Sequence, residues 1–344
     1  MPVTIEEKLD ALRKPALYGN GAADVLAVET HMSWVFLVDD EVYKIKKPVH
    51  FPFVDFTTLD ARERNCREEV RLNRRLAPDV YLGTVALVRR ADGSVALGGP
   101  GEVVDWLVRM RRLPQDRMLS AVLTAGGADG ATADRLTRVL ADFYRKAERS
   151  PLSPQEHVQC FESQQVQNRQ VLSHRDFDVD MQAIRRVLNR NDECLHALRP
   201  LIEGRVADGR FVEGHGDLRP EHVCLTDPIT IIDCLEFSYL LRLVDPFEEI
   251  AFLGMECAFL GVPEIGRELA ARLGAALGDS VAPELYQFYS AFRATMRARM
   301  ALGHLVYGPA VNRPAWERKT DRYIALAEHF LAMPELAAVS ARDI

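Results

Sequence analysis

Apolar residues recur along this chain with two different periods, and the change from one to the other divides it. Up to about residue 112 the apolar runs are short and alternating. Ser33–Asp40 and Glu41–Lys46 are rich in β-branched and aromatic residues and meet at Asp39-Asp40, which predicts a hairpin. Residues 5–14 carry the stripe of a short amphipathic helix. A second helix is expected from about Thr58 to Ala77, after a proline- and phenylalanine-rich loop from Pro48 to Phe56. Short strands are expected near Gly83–Val88 and Val103–Met110. Beyond Leu113-Pro114 the period becomes helical, in segments near 131–148, 154–173, 178–203, 245–260, 263–278, 282–305 and 314–333. Gly126-Gly-Ala-Asp-Gly130 reads as a turn rather than a phosphate cradle. One β-type island, Phe211–Asp233, interrupts the helices, and the pattern as a whole is α+β.

The island holds the chemistry. It contains Glu213-Gly-His-Gly-Asp-Leu-Arg-Pro-Glu-His-Val223 and then Ile231-Ile-Asp-Cys-Leu-Glu-Phe237. Asp217 is set on a loop beside His215, Arg219 and His222, and Asp233 ends an apolar run. Phosphoryl transfer from a nucleotide uses such a set: one carboxylate positions the attacking hydroxyl, another holds Mg²⁺ on the phosphates, and a cation offsets the developing charge. Alone, Asp217 reads equally well as a turn cap; with Asp233 downstream the catalytic reading is favoured. His215 reads as a brace for the loop. A carboxylate ending a buried strand calls for an ion pair or a metal, and Mg²⁺ takes one or two carboxylates with phosphate oxygens and water.

His215-Gly-Asp-Leu-Arg-Pro-Glu-His222 resembles the H-R-D-L-K-P-E-N loop of protein kinases, and more closely the H-G-D-L-H-P-G-N loop of aminoglycoside phosphotransferases and choline kinases. Ile231-Ile-Asp-Cys resembles the strand-ending Asp of the D-F-G element. Over roughly residues 5–335 the chain is similar to the phosphotransferase half of aminoglycoside phosphotransferase/ATP-binding fusion proteins, which also carry the Val42-Tyr-Lys-Ile-Lys-Lys-Pro-Val49 and Asp245-Pro-Phe-Glu-Glu-Ile-Ala251 segments.

The resemblance implies a protein-kinase-like two-lobed fold. Residues 1–110 would form a small mixed nucleotide-binding lobe, and residues 111–344 a large, mostly helical lobe with the catalytic loop and metal site. A hinge is expected at Met110–Pro114, where the backbone near Met110 would meet adenine. The implied activity is that of an ATP-dependent small-molecule kinase, transferring the γ-phosphoryl group to a substrate hydroxyl with Asp217 as base. Lys44 would grip the phosphates, with Lys46 the alternative. Its partner would be Glu69, which lies on the apolar stripe of Cys66, Leu72 and Leu76, whereas Glu68 lines up with Arg71 and Arg75 on a charged face. Arg219 stands where protein kinases have Lys and either reaches a transferring phosphate or pairs with Glu221 or Glu213. Asp233 and His222 would hold Mg²⁺. His222 stands where the resembled families have Asn, and imidazole suits Mn²⁺ better than Mg²⁺. It therefore either ligates or braces the loop while Glu236 takes over.

Two further departures are the lack of a Gly-rich loop before the Lys44 strand and the lack of a G-x-x-x-x-G-K-[ST] motif. The second means that the P-loop half of the fusions is not part of this sequence, and a separate P-loop partner protein is an open expectation. The alternative reading is a non-catalytic nucleotide-binding module with a lapsed metal site; a metal-dependent hydrolase using His215, Asp217, His222 and Asp233 is a third.

Composition narrows the field only at its edges. A formal charge of −7 argues against general nucleic-acid binding. Six cysteines without C-x-x-C spacing, acidic residues where a signal peptide is basic and then apolar, and no stretch of about 18 apolar residues together predict a cytoplasmic protein without membrane attachment. Glu248, Glu249 and Glu256 either line a pocket for a cationic acceptor or face water. Asp245-Pro246 is the start signal of a helix.

Overall fold

The computed structural model describes residues 3–19, 24–51, 54–127, 130–308, 311–334 and 336. Pro52 and Phe53 of the proline-rich loop, and Ala128 and Asp129 of the glycine-rich turn, lie outside the described residues. The chain forms two compact units. One comprises Met1–Met118 with Cys224–Tyr239, the other Leu119–Val223 with Leu240–Ile344.

In the first unit the alternating runs build an antiparallel sheet. Its strands are β1 (Val25–Glu29), β2 (Ser33–Val38), β3 (Glu41–Lys46), β6 (Tyr81–Arg89), β7 (Val95–Leu97) and β8 (Glu102–Arg111), in the order β1-β2-β3-β8-β6-β7. The short strands β4 (His50–Phe51) and β5 (Val54–Asp55) pair with each other apart from it. β2 and β3 form the expected hairpin, with Val38 opposite Glu41 and Ser33 opposite Lys46. Asp39 takes the left-handed conformation that closes the turn (φ 47°). Helix α1 (Ile5–Leu12) begins in a capping box of Thr4 and Glu7. It buries Leu9 and Leu12 with Phe36, Tyr43, Ile45 and Leu107 of the sheet. Helix α2 (Leu59–Asn73), capped by Thr58, buries Cys66 and Val70 in a separate cluster with Tyr81, Val108 and Met110. Because side chains alternate along a strand, Tyr43 and Ile45 enter the α1 core while Lys44 and Lys46 project to the other face of β3.

The segment Cys224–Tyr239 is tied to this unit by its backbone. Leu225 N–H donates to the Arg117 carbonyl at 2.8 Å and Cys234 N–H to Asn73 Oδ1 at 2.8 Å. It includes most of the two short strands β10 (Val223–Cys224) and β11 (Thr230–Ile231).

The second unit is helical: α3 (Leu119–Thr124), α4 (Gly130–Lys146), α5 (Pro154–Leu172), α6 (Met181–Ala207), α7 (Pro246–Phe259), α8 (Glu264–Leu277), α9 (Pro283–Tyr307) and α10 (Arg313–Leu331). Start signals act as their chemistry dictates. Ser153 and Glu156 form a capping box on α5, with Pro154 in its first turn, and Asp245 caps α7 through Phe247 N–H at 3.0 Å. α5, α6, α7, α9 and α10 share one core that includes Phe161, Leu188, Phe252, Phe288, Phe292 and Tyr323. Each such aromatic or aliphatic side chain contributes roughly 1.5–3 kcal/mol by leaving water. β9 (Val212–Glu213) pairs with β12 (Leu243–Val244) and fixes the start of the 214–223 loop. Among the described residues no helix is long and apolar enough to cross a membrane, and all six cysteines are free thiols.

Candidate active site

In the first unit a strand, a helix and the 224–239 segment deliver charged side chains to one cluster. Lys44 Nζ lies 2.8 Å from Glu69 Oε1 and 3.2 Å from Asp233 Oδ1. Lys46, two residues on, bridges Glu69 and Glu236. The two lysines therefore share Glu69, whose side chain is almost wholly buried on α2. Burial opposes the charge on Lys44, but Asp233, Glu69 and Glu236 outweigh it and raise its pKa well above the usual lysine value. Burial likewise opposes the charge on Glu69, yet Lys44 and Lys46 hold it below the usual range. Both groups are thus ionised at neutral pH.

Asp233 differs from its neighbours. It stands beyond β11 rather than inside a buried strand, and its side chain is 45% exposed. Its backbone is left-handed, φ 61°, a conformation costing a non-glycine residue roughly 1–2 kcal/mol. The surroundings impose it: Asp233 N–H donates to Tyr81 Oη at 3.2 Å, and the next N–H is taken by Asn73.

Met110 lies within β8, in register with Val42 of β3 and Tyr81 of β6. Its backbone groups belong to the sheet, and pairing continues to Arg112, whose N–H donates to Asp40 at 2.8 Å. Met110 is thus placed inside the strand rather than beyond its end. Arg109 pairs with Glu41, and Arg111 reaches the Asp79 carbonyl at 3.0 Å.

In the second unit the 214–223 loop carries Asp217, Arg219 and His222 together. Arg219 Nε donates to Asp217 Oδ2 at 3.0 Å, and a second arm of the guanidinium pairs with Glu221. Its Nη2 stands 2.9 Å from His222 Nε2, and His222 Nδ1 stands 2.7 Å from the Asp217 carbonyl. A guanidinium can only donate, so Nε2 is the bare nitrogen and Nδ1 carries the proton to the carbonyl. Both ring nitrogens of His222 are thus engaged inside the loop. His215, fully buried, accepts the Asp217 N–H on Nδ1 at 3.2 Å. Burial pushes the Asp217 carboxyl up, but Arg219, His222, Arg297 and His215 outweigh it, so its pKa is below the usual value.

Sequence reasoning missed what holds this loop. Glu249 of α7 accepts His215 N–H at 3.0 Å, also accepts Gly216 N–H, and takes the Tyr144 hydroxyl at 2.9 Å. The glycines flanking His215 fit this clamp. A Cβ on Gly214 would stand 2.6 Å from both Glu249 Oε2 and Val244 Cγ2, and Gly216 has φ 85°. The other α7 carboxylates are internal as well. Glu248 pairs with Arg293 at 2.7 Å, and Glu256 with Arg297 and the Tyr323 hydroxyl. Neither solvent exposure nor an open acidic pocket describes them. The available signal was a helix apolar on every side whose only charges are glutamates.

No family model matches the chain. Over 275 residues it is 36% identical to uncharacterized proteins of Mycobacterium bovis and Mycobacterium tuberculosis, a match covering 79% of this chain and 53% of theirs. The chain thus spans about half the length of the curated relatives it matches. Among solved structures it is similar to a choline/ethanolamine kinase family protein from Mesorhizobium loti, with TM-score 0.59 and 15% identity over 98% of this chain and 97% of that one. It is similar also to a mutant aminoglycoside 2′-phosphotransferase in its GDP complex, with TM-score 0.56 and 13% identity over 95% and 99% of the two chains. A choline kinase from Cryptosporidium parvum gives TM-score 0.55 and 12% identity over 94% and 93%. At such identities the likeness establishes architecture alone: the chain has the fold of these choline kinase and aminoglycoside phosphotransferase structures.

Proposed function

We propose that the chain is an ATP-dependent small-molecule kinase that transfers the γ-phosphoryl group to a hydroxyl. The observation that carries the reading is Lys44, held by Glu69 of α2, beside the open carboxylate of Asp233 in its left-handed turn. A buried, permanently charged ammonium next to an exposed carboxylate suits a polyphosphate and its counter-cation, and the GDP complex of a protein with this fold supports nucleotide as the ligand.

The donor set fits Mg²⁺. Three carboxylates (Glu69, Asp233, Glu236) meet around Lys44 and Lys46, and Asp233 is the most exposed of them. Mg²⁺ asks for one or two carboxylates and completes its shell with phosphate oxygens and water. Asp233 would hold it, with Glu236 rather than His222 as the second carboxylate, and the ion would offset phosphate charge. Lys44 contacts the phosphates, and Lys46 keeps Glu69 and Glu236 in place. The adenine edge meets the chain that leaves the sheet after Arg112 rather than Met110. In the second unit Asp217 orients the acceptor hydroxyl. Held below the usual carboxylate range, it accepts a hydrogen bond in the ground state and the proton only as the oxygen–phosphorus bond forms. Arg219 holds Asp217 in place and would be the guanidinium that offsets transferred charge.

Calorimetric titration of ATP with Mg²⁺, and then with Mn²⁺, tests the reading on wild type and Asp233→Asn. Metal-dependent binding that weakens at least about tenfold in the variant is expected. Binding indifferent to metal and variant would sink the metal assignment. Tight binding with no turnover of any hydroxyl compound would favour the non-catalytic module.

A further inference from the structure

We propose that the acceptor carries an anionic oxygen group, a phosphate or a carboxylate, held beside Asp217 by Lys319 of α10 and Arg297 of α9. As a statement about the acceptor it rests on the kinase reading; as an anion site it stands without it.

The carboxylates that act on Lys319 or Arg297 include Asp217, Glu221 and Glu256, and each has partners in the protein. Asp217 is bonded by Arg219, Glu221 is paired with the same guanidinium, and Glu256 is bonded by Arg297 and, through both oxygens, by the Tyr323 hydroxyl at 2.9 and 3.1 Å. A cationic acceptor would have to pull Glu256 from two buried partners or share the partly exposed Glu221 with Arg219, and Asp217 is needed for the hydroxyl. Stripping a buried carboxylate of its partner costs several kcal/mol.

Donors, by contrast, remain over. The Nη2 of Arg297 has the Tyr323 hydroxyl at only 3.4 Å, and its Nη1 has the Met300 sulfur at 4.0 Å. Lys319 is half-buried one helical turn before Tyr323, on the same face of α10, and rests 5.5 Å from the centre of the Trp316 ring. Among the described residues no carboxylate lies within 4 Å of its ammonium. Its electrostatic neighbours are Arg297, Glu256, Glu221 and Arg219, and Arg297 in turn acts on Asp217. The unused donors therefore lie within electrostatic reach of the loop that carries Asp217. Burial first, and then repulsion from Arg297, hold the Lys319 pKa below the usual value, which an arriving negative charge would relieve.

Trp316, beneath Lys319, gives a direct readout. Inorganic phosphate is titrated against tryptophan fluorescence in wild type, Lys319→Met and Lys319→Arg, with nucleotide binding followed separately by calorimetry. A saturable change, weakened at least tenfold by Lys319→Met and restored by Lys319→Arg, is expected. In a matched panel, ATP-dependent turnover should favour glycerol 3-phosphate and gluconate over glycerol, and over choline and glucosamine. Lys319→Glu should reverse that order. Phosphate binding unchanged by Lys319→Met, or a wild-type preference for the cationic acceptors, overturns the proposal. If nucleotide binds while phosphate ignores Lys319, the anion site is wrong and the kinase reading stands. If nucleotide does not bind while Lys319-dependent phosphate binding persists, the kinase reading is wrong and the anion site stands.

Discussion

The lysine cluster of the first unit and the loop cluster of the second are built from the same residue types with opposite remainders. Lys44 and Lys46 engage Glu69, Glu236 and Asp233, and of these carboxylates Asp233 is the most exposed. Around Asp217 the described carboxylates have protein partners, while the Nη groups of Arg297 have only long contacts and Lys319 has no carboxylate within 4 Å among the described residues. Local net charge says little about either. Which groups have their hydrogen-bonding capacity filled by protein decides what each can receive: a cation with its phosphates in one, an anion in the other.

The contrast can be broken by substitution. Asp217→Asn should lower kcat by about 10²–10⁴-fold while leaving nucleotide affinity within a factor of two. Steady-state kinetics beside calorimetry would show it, and equal losses in both would mean that Asp217 is structural. Lys46→Met should destabilise the protein by roughly 3–5 kcal/mol, because it takes a buried partner from both Glu69 and Glu236. Lys44→Met, beside the exposed Asp233, should destabilise less and weaken nucleotide binding more. Denaturant midpoints that rank the two the other way would reverse the assignment of phosphate grip and positioning.

A smaller effect separates the units by pH. His157 of α5 is buried, faces Ser150 Oγ at 2.7 Å and lies against the Phe211 ring at 4.3 Å. Burial lowers its pKa from 6.5 to about 4. The unfolded chain therefore takes up a proton between these values and the folded chain does not. Stability is full above pH 6.5 and falls as pH drops toward 4, by roughly 2–3 kcal/mol. His157→Gln should flatten that slope in urea titrations at pH 7, 6 and 5. An unchanged slope would place the titration elsewhere.

Much of this was legible because it is local. The hairpin, the stripe carrying Glu69 with Cys66 and Leu72, and most helices follow from periods of two or 3.6. β1 was missed because four of its five residues are exposed, so no alternation marks it, and β7 and α3 are too short to show a period. The clamp by Glu249 was missed for a different reason. Its partners lie 33 and 34 residues earlier and are backbone N–H groups, which leave no mark on side-chain pattern beyond the glycines that make room. Nor does periodicity reveal that Cys224–Tyr239 folds with the first 118 residues, since those ties are backbone and amide hydrogen bonds. Paired motifs indicate which carboxylates matter; which of them have room to bind depends on distant partners.

The left-handed turn at Asp233 makes two kinds of selection diverge. A library at this position screened only for folding should enrich glycine and asparagine, which accept φ near +60° without a Cβ penalty or with a small one. The same library screened for phosphorylation should retain aspartate alone. Alanine fails both screens for unrelated reasons, and so reveals the least about what the carboxylate does.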